Sequence, residues 1–541
     1  MGIFGFKVMD LCRMLNMPLA KACKSFKCEQ QKLSLDHSQV QSMFMSGRLQ
    51  GYMQDNYSKI REYNMMDVKT LSELYFKTRH ELDRLCSVNI EDHMTLAGMS
   101  YRIFKDLNKK IEFPLHGDSE KKLVRKTVVG GRAQMFQVGE YDSEALCCID
   151  CVSLYPYVML NNMFPVGEAQ VCEKYKEDRI GVYRIEVLSQ PNIKIIPERE
   201  RDERLNWGAE RIECCVTSQD IDTLQRHNCR FKVIFGIYWE NDMVKLFQSY
   251  FDPLVREKIK QDSFKDQDNQ EYNPAVRELC KLLMNSLSGK LIQKDYNDVI
   301  EIVKTREELS RFRQKCEENI KFIKINKEVC IVSGTLQQYI NKMPTIYGAL
   351  IYSYARSHMY DTILSRVDPS KLFGMDTDSA FITVGQYNEL FKKYPEIFGE
   401  GFGQFKEEII ELVDSKNEDG PFGIFVAPKC YCFYGRNKKT GKERFVKARF
   451  KGINIDRDRI WDTSVDYNKL TASEIHDLYY QETLPKIDVD FYRRCLKENV
   501  TILHSNLAKT IMNVRGAGEE HEPDFINIKQ HFCLKVIKHN A

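Results

Sequence analysis

In Leu372-Phe373-Gly374-Met375-Asp376-Thr377-Asp378-Ser379-Ala380-Phe381-Ile382, two apolar runs close around a polar tip. That pattern predicts two buried strands joined by a tight turn, with two carboxylates held side by side at the turn. A bound cation is the expected means of offsetting their repulsion. Far upstream, a third aspartate opens another string, Asp150-Cys151-Val152-Ser153-Leu154-Tyr155-Pro156. If folding brings both strings together, the three carboxylates form a cage for two divalent metals about 3.5–4 Å apart, an arrangement that drives in-line phosphoryl transfer.

The surrounding chain is large enough to support such a site. At 541 residues it exceeds one compact core, and roughly three or four structural units are expected. Hydrophobic content of 43% and charged content of 29% are ordinary for a soluble globular protein. No apolar run reaches the length of a membrane span, so no membrane partner is expected. Phe6 stands where a myristoylation signal needs Ser or Thr, and no secretory leader is recognisable. A soluble intracellular protein is expected, with cytoplasm and nucleus both open. The 18 cysteines are scattered along a long chain, which argues for reduced thiols rather than a disulfide scaffold. Cys148 and Cys151 have CxxC spacing around Asp150, but no second pair follows, so they read as buried strand residues.

A net charge of +3 does not announce a nucleic-acid binder. Local density is more informative. From Lys429 to Lys451 there are nine Lys/Arg against one acid, Glu443, with Tyr431, Phe433, Tyr434, Phe445 and Phe450 interleaved. A solvated hairpin is one explanation. Bases alternating with aromatics also suit a groove that follows a phosphate backbone.

Residues 1–85 read mainly as helices, through Val8, Leu11, Leu15 and Leu19 and then Val68, Leu71, Leu74 and Tyr75. Short alternating segments follow at Ile180–Leu188 and Phe231–Tyr238, with an exposed loop at Glu198–Arg204. Helices are expected at about Met243–Asp262 and at Pro274–Leu291, the second opened by a proline suited to a first turn. Its Arg277, Lys281, Asn285 and Ser288 share one face, opposite Leu279, Leu282, Leu283 and Leu287. A charged helix (Arg306–Lys321), a long one (Pro344–Ser365) and a capping box at Thr471-Ala472-Ser473-Glu474 complete the pattern.

Nucleotidyl transfer needs metals on a triphosphate, cations for the leaving pyrophosphate, and a means of rejecting the wrong sugar. Asp150 and Asp378 are the natural metal ligands, with Asp376 close by. Lys281, one turn before Asn285 and one turn after Arg277, can set an ammonium against phosphates. Tyr155 can lie beneath the sugar, where a 2′-hydroxyl would collide with it. Taken singly, each of these is equally a solvated acid, a surface base or a core tyrosine.

Together they resemble the family B DNA polymerases. Asp150-x-x-Ser153-Leu154-Tyr155-Pro156 is similar to that family's first palm motif, Lys281-x-x-x-Asn285-Ser286-x-Ser288-Gly289 to its fingers motif, and Asp376-Thr377-Asp378-Ser379 to its second palm motif. Lys429-Cys430-Tyr431 resembles the Lys-x-Tyr motif that grips the primer strand, and Lys451 extends that basic stretch. Gly130-Gly131-Arg132 resembles the element that links exonuclease to palm and touches template. Phe247-x-x-Tyr250 followed by Lys258 resembles the first fingers helix, whose lysine also meets the triphosphate. All of this spans roughly residues 5–455 and follows the family's order.

The resemblance implies an α+β chain with a right-hand polymerase architecture of palm, fingers and thumb, and a partial ribonuclease-H-like 3′–5′ exonuclease domain at its N-terminus. The expected division is 1–85 exonuclease-like, 86–125 connector, 126–246 first part of the palm, 247–291 fingers, 292–455 second part of the palm and 456–541 thumb. The implied cofactors are two Mg²⁺, with Mn²⁺ able to substitute; the implied partners are a DNA template-primer and deoxynucleoside triphosphates. The Gly-Gly-Arg form and short fingers are similar to the viral, organellar-plasmid and transposon branch, many of whose members use a terminal priming protein. The intervals Asp150–Lys281 and Lys281–Asp376 leave room for that branch's two priming insertions, though neither is recognisable residue by residue, so protein priming stays open.

Two departures stand out. The family usually has Tyr where Ser288 stands, which puts fidelity in question while leaving metal chemistry intact. At the amino end, Tyr63-x-x-x-Asp67 resembles the third exonuclease motif and Asp10 a preceding acidic segment, whereas the first two motifs would lie upstream of Met1. The expectation is a domain that does not proofread; a truncated gene model would read the same. A non-catalytic nucleic-acid-binding remnant of a mobile element is the competing reading, and an exonuclease is a weaker third.

Overall fold

The two aspartate strings become neighbours in one five-stranded sheet. Leu372–Asp376 and Ser379–Thr383 form the expected antiparallel hairpin, with Asp376 opposite Ser379. Ser379–Thr383 pairs on its other side with Leu146–Cys151, setting Ser379 opposite Asp150. Phe405–Glu407 lies beyond Leu146–Cys151, and Ala133–Met135 lies beyond Leu372–Asp376. Composition accounts for the central position. Leu146–Cys151 is buried at every residue but Asp150, and Ser379–Thr383 is buried throughout. Cys147, Cys148 and Cys151 are among those buried residues, as expected for Cys148 and Cys151.

The computed structural model describes residues 47–450 and 487–497 except 115–116, 201–204, 241–242, 268, 294–297, 304, 325–329 and 337–342. Beyond these it describes 10–30 without 16, isolated positions between 31 and 46, and the short strands Gly2–Ile3, Phe6–Lys7, Val500–Thr501 and Ile537–Lys538. Lys451 and the capping box at 471–474 lie outside the described residues. Two compact units emerge: one of residues 1–130, 153–293 and 343–365, the other of 131–152, 294–342 and 366–541.

The second unit contains the five-stranded sheet. It also holds a four-stranded sheet in the order Glu443–Phe450, Cys430–Asn437, Glu418–Ala427, Gly139–Tyr141. Phe373, Phe381, Phe425, Tyr431 and Phe433 form a shared core with Leu146 and Cys148. The helix Val489–Lys497, from the expected thumb, packs Phe491, Tyr492 and Cys495 onto the four-stranded sheet. A third sheet, Asp298–Val303, Cys330–Leu336 and Cys316–Lys324, carries its own small core around Phe312.

In the first unit, Ile212–Thr217, Gly181–Ser189, Arg230–Tyr238 and Gln170–Cys172 form an antiparallel sheet, its two long strands where the alternation predicted. Gln248–Asp266 and Pro274–Leu291 pack against each other. Asn273 caps the second helix by accepting from the backbone N–H groups of Ala275 and Val276 at 3.1 and 3.4 Å. Leu279, Leu283 and Leu287 are buried while Lys281 and Asn285 are exposed. Among the described residues, no helix is long and apolar enough to cross a membrane.

Several expectations are corrected. The 86–125 connector contains two helices, Leu96–Leu107 and Asp118–Thr127. On the helix Tyr57–Cys86 the inward stripe is Tyr63, Thr70, Leu74, Thr78 and Leu82, whereas Val68 and Leu71 are exposed. Threonines fill inward positions there, so apolarity alone gave the wrong phase. The charged helix stops at Lys315, and the following residues, with Ile320, Phe322 and Ile323, form strand Cys316–Lys324. The expected long helix runs Thr345–Met359 and ends in a wider π-turn at Tyr360–Leu364. Ser288 is buried and hydrogen-bonds the Asn285 carbonyl at 3.2 Å, so it leaves the polar face assigned to it.

The first unit also contains a buried ion pair. Arg356 Nη2 meets Asp220 Oδ1 at 2.7 Å, with side chains 9% and 2% exposed, and Nη1 donates to the Val129 carbonyl at 2.9 Å. Arg356→Met leaves Asp220 buried and uncompensated, at an expected cost of about 3–5 kcal/mol. The unfolding midpoint in urea should fall markedly, and Asp220→Asn combined with Arg356→Met should fall by less than the two single changes added together.

Candidate active site

Residues directly opposite in antiparallel strands point to the same face. The register therefore sets Lys406, Asp150, Ser379, Asp376 and Ala133 in one transverse row. Asp378 sits in the turn, where its carbonyl accepts from the Cys151 N–H at 2.8 Å. Thr377 takes the left-handed conformation (φ 68°) and donates its N–H to the Arg132 carbonyl at 2.7 Å. Strands lie about 4.8 Å apart, so Asp376, two strands away, stands roughly 10 Å along the sheet from Asp150.

Asp376 thus stands one strand further from Asp150 than Ser379 does. Among the described residues, no three His, Cys, Asp or Glu side chains are grouped as metal ligands. Asp376 instead pairs with Lys429, whose ammonium meets Oδ1. Lys429 reaches it from the turn between Glu418–Ala427 and Cys430–Asn437, in a left-handed conformation (φ 61°) uncommon for a side chain of its size. That ammonium offsets part of the charge of Asp376.

Asp150 and Asp378 remain as a pair. Burial, then the charge of Asp378, then Glu408 push Asp150 up to about 7, with Lys447 and Lys406 pulling the other way. Asp378 is also raised, first by burial and further by Asp376 and Glu408, against a hydrogen bond from its own N–H. Two half-buried carboxylates whose proton affinity is raised by burial and by acidic neighbours are hard oxygen donors in need of positive charge, and they suit a divalent cation such as Mg²⁺.

The flanking motifs occupy less expected places. A Cβ on Gly131 would stand 2.5 Å from Thr377 Cγ2, so the hairpin tip itself requires glycine; Gly130 faces open space. Arg132 is 4% exposed, with its guanidinium on Gln134 Oε1 at 2.6 and 2.8 Å and over the Phe136 ring. Tyr431 is 1% exposed, its ring 4.6 Å from that of Phe381, and burial raises its phenol. Both are core residues of this unit.

In the first unit, Tyr155 lies on the helix Leu154–Asn161, edge-on to Tyr352 at 5.2 Å. Lys258 and Arg277 converge on one acid: Lys258 Nζ meets Asp262 Oδ2 at 2.8 Å and Arg277 Nε meets Oδ1 at 2.5 Å. Burial alone would raise Asp262, but these two cations hold its carboxyl below the ordinary range. Tyr63 is buried and Asp67, one turn on, is half-buried.

Asp262 and Glu408 were missed from sequence, and Lys447 was read only as one of the nine bases between Lys429 and Lys451. Asp262 stands one turn after Lys258, a spacing that could have revealed the pair. Lys447 meets Glu408 Oε2 at 2.5 Å and Cys148 Sγ at 3.2 Å, through tertiary contacts with no local signature.

A family model described as DNA polymerase type B, organellar and viral, matches residues 3–371. A DNA polymerase of Kluyveromyces lactis is 26% identical over 421 residues, covering 73% of this chain and 39% of that protein. The chain thus spans about two fifths of that relative's length. An uncharacterized protein of invertebrate iridescent virus 3 is 28% identical over 139 residues, 25% of this chain and 86% of that protein. Phi29 DNA polymerase, complexed with primer-template DNA and incoming nucleotide substrates, shares the fold with a TM-score of 0.58 and 18% identity, over 86% of this chain and 75% of its own. An orthorhombic crystal form of phi29 polymerase gives 0.58 at 19% identity, over 83% and 73%.

The contact at the hairpin tip yields a direct test. Gly131→Ala should destabilise the chain by about 1–3 kcal/mol through overpacking. Thr377→Gly in the same chain should restore most of the loss, since it removes the colliding atoms and favours the left-handed backbone. Unfolding midpoints of the two single variants and the double variant measure the coupling.

Proposed function

The chain belongs to the organellar and viral type B DNA polymerases, and from that membership we propose that it extends a primer 3′-hydroxyl with deoxynucleotides on a DNA template. One observation carries the reading: Asp150, opposite Ser379 in the central sheet, and Asp378, in the turn just before Ser379, are each raised by burial and by acidic neighbours. Mg²⁺ or Mn²⁺ ions held by this pair would acidify the attacking hydroxyl and spread the charge of the triphosphate.

The remaining roles belong to side chains. Lys281 and Asn285 present a cation and an amide from the exposed face of Pro274–Leu291 to the nucleotide. Asp262 holds Lys258 and Arg277 in fixed positions, so less rotamer freedom is lost when they meet phosphates. Tyr352 steadies Tyr155, whose ring would exclude a 2′-hydroxyl. Lys429 faces the primer strand beside Asp376; Tyr431 supports it from the core. Gly130, Gly131 and Arg132 shape the template side, and Lys451 extends the basic stretch.

We assign residues 1–85 to an exonuclease-like unit, 126–246 and 292–455 to the palm, 247–291 to the fingers and 456–541 to the thumb. The small sheets within 170–238 and 298–336 occupy the two intervals available to priming insertions, which supports a terminal protein as partner. Within residues 1–85, Asp67 and Asp10 are the acids assigned to exonuclease motifs, fewer than a two-metal exonuclease needs, so we assign these residues no proofreading of their own.

Primer extension on a defined template with Mg²⁺ tests the assignment. Asp378→Asn should abolish incorporation while template-primer binding persists; undiminished synthesis would refute the metal site. Lys281→Met should raise KM for the nucleotide roughly tenfold through loss of a charge-assisted hydrogen bond.

A further inference from the structure

One cation in the transverse row has no role in the reading above. Lys406 lies directly opposite Asp150, on the edge strand Phe405–Glu407. Its neighbour Phe405 is fully buried, so alternation along the strand directs Lys406 to the face that carries Asp150. The other lysines near the carboxylates are committed at short range. Lys429 holds Asp376, and Lys447 holds Glu408 at 2.5 Å. Lys406 has a side chain 46% exposed, and its ion pair among the described residues is a marginal one to Glu408 Oε1 at 3.9 Å. An ammonium beside a metal-binding carboxylate, yet not neutralised by it, is placed for an anion that arrives with the metal. Nucleotidyl transfer brings such an anion as phosphate.

We propose that Lys406 binds a phosphate oxygen of the substrates at the Asp150–Asp378 pair, an inference that rests on the polymerase reading. Directly opposite residues have Cβ atoms about 5 Å apart, and the four-carbon lysine stem carries its charge over a comparable reach. A phosphate bound at Asp150 therefore falls within its range. Two sources share this chemistry: the incoming triphosphate and the primer-strand phosphodiester. A lysine that merely discourages edge-to-edge pairing would need no phosphate at all.

Primer extension by the full chain with Mg²⁺ distinguishes these cases. Lys406→Met should raise KM for the deoxynucleotide roughly tenfold, the worth of a charged hydrogen bond, with kcat little changed. Lys406→Arg should recover most of the loss, and Lys392→Met, at an exposed helix position, should change neither constant. If the phosphate belongs to the primer strand, KM will hold while template-primer affinity falls and its salt slope drops by about one. Unmoved KM, primer affinity and salt slope in Lys406→Met overturn the proposal, as does a loss that Lys406→Arg leaves uncorrected. Asp378→Asn in the same assay separates the two levels. Synthesis that survives it overturns both the metal site and the role of Lys406; synthesis abolished there, with Lys406→Met constants unmoved, overturns Lys406 alone.

Discussion

Strand register is the constraint from which the site follows. Side chains alternate strictly across a sheet, so a slip of one residue in Leu146–Cys151 would turn Asp150 to the opposite face and present a cysteine in its place. Several contacts hold the register. The Cys151 N–H donates to Asp378, the Glu408 N–H donates to the Cys148 carbonyl, and Thr377 fits against Gly131 at the tip. The aromatic core around Phe381 and Phe425 fills one face. Reversing that face would expose several large rings, a loss of roughly 1.5–3 kcal/mol for each.

Holding acids in that row has an electrostatic cost, and charge placement distributes it unevenly. Asp376 has Lys429 and Glu408 has Lys447, each a direct ion pair. Asp150 and Asp378 share the more distant influence of Lys447, with Lys406 acting on Asp150. Among the described residues, the pair left without a direct ion pair is therefore the pair suited to a metal. Functional sites commonly keep such unresolved conflicts where the rest of a fold resolves its own.

Much of this was legible in the sequence because the signals were local. Pro274 and a leucine stripe gave the helix Pro274–Leu291 at its observed limits, and apolar runs around Asp-Thr-Asp gave the hairpin. Exposure was not legible. Arg132 and Tyr431 look like surface contacts in a motif, yet one folds onto Gln134 and Phe136 and the other onto Phe381. Their burial depends on strands far away in the chain. The phase of Tyr57–Cys86 failed for a related reason: Thr70 and Thr78 face inward, and Thr78 satisfies its hydroxyl on the Leu74 carbonyl at 2.7 Å. A threonine paired in that way packs like a small apolar residue, which no hydrophobicity pattern reveals.

Asp262 poses the converse problem, since an acid among the cations proposed to bind phosphate opposes their charge. Its single charge faces both Lys258 and Arg277, so the cluster keeps a net positive charge. What the acid removes is freedom: two long side chains, one from each helix of the hairpin, are held in one geometry before any nucleotide arrives. Ordering such a side chain on binding costs about 0.5–1.5 kcal/mol, so ordering it in advance moves that cost into folding. A triphosphate carries more charge than one carboxylate and can draw both cations while Asp262 remains between them. The same acid links Gln248–Asp266 to Pro274–Leu291, so whatever moves one helix of the pair acts on both Lys258 and Arg277.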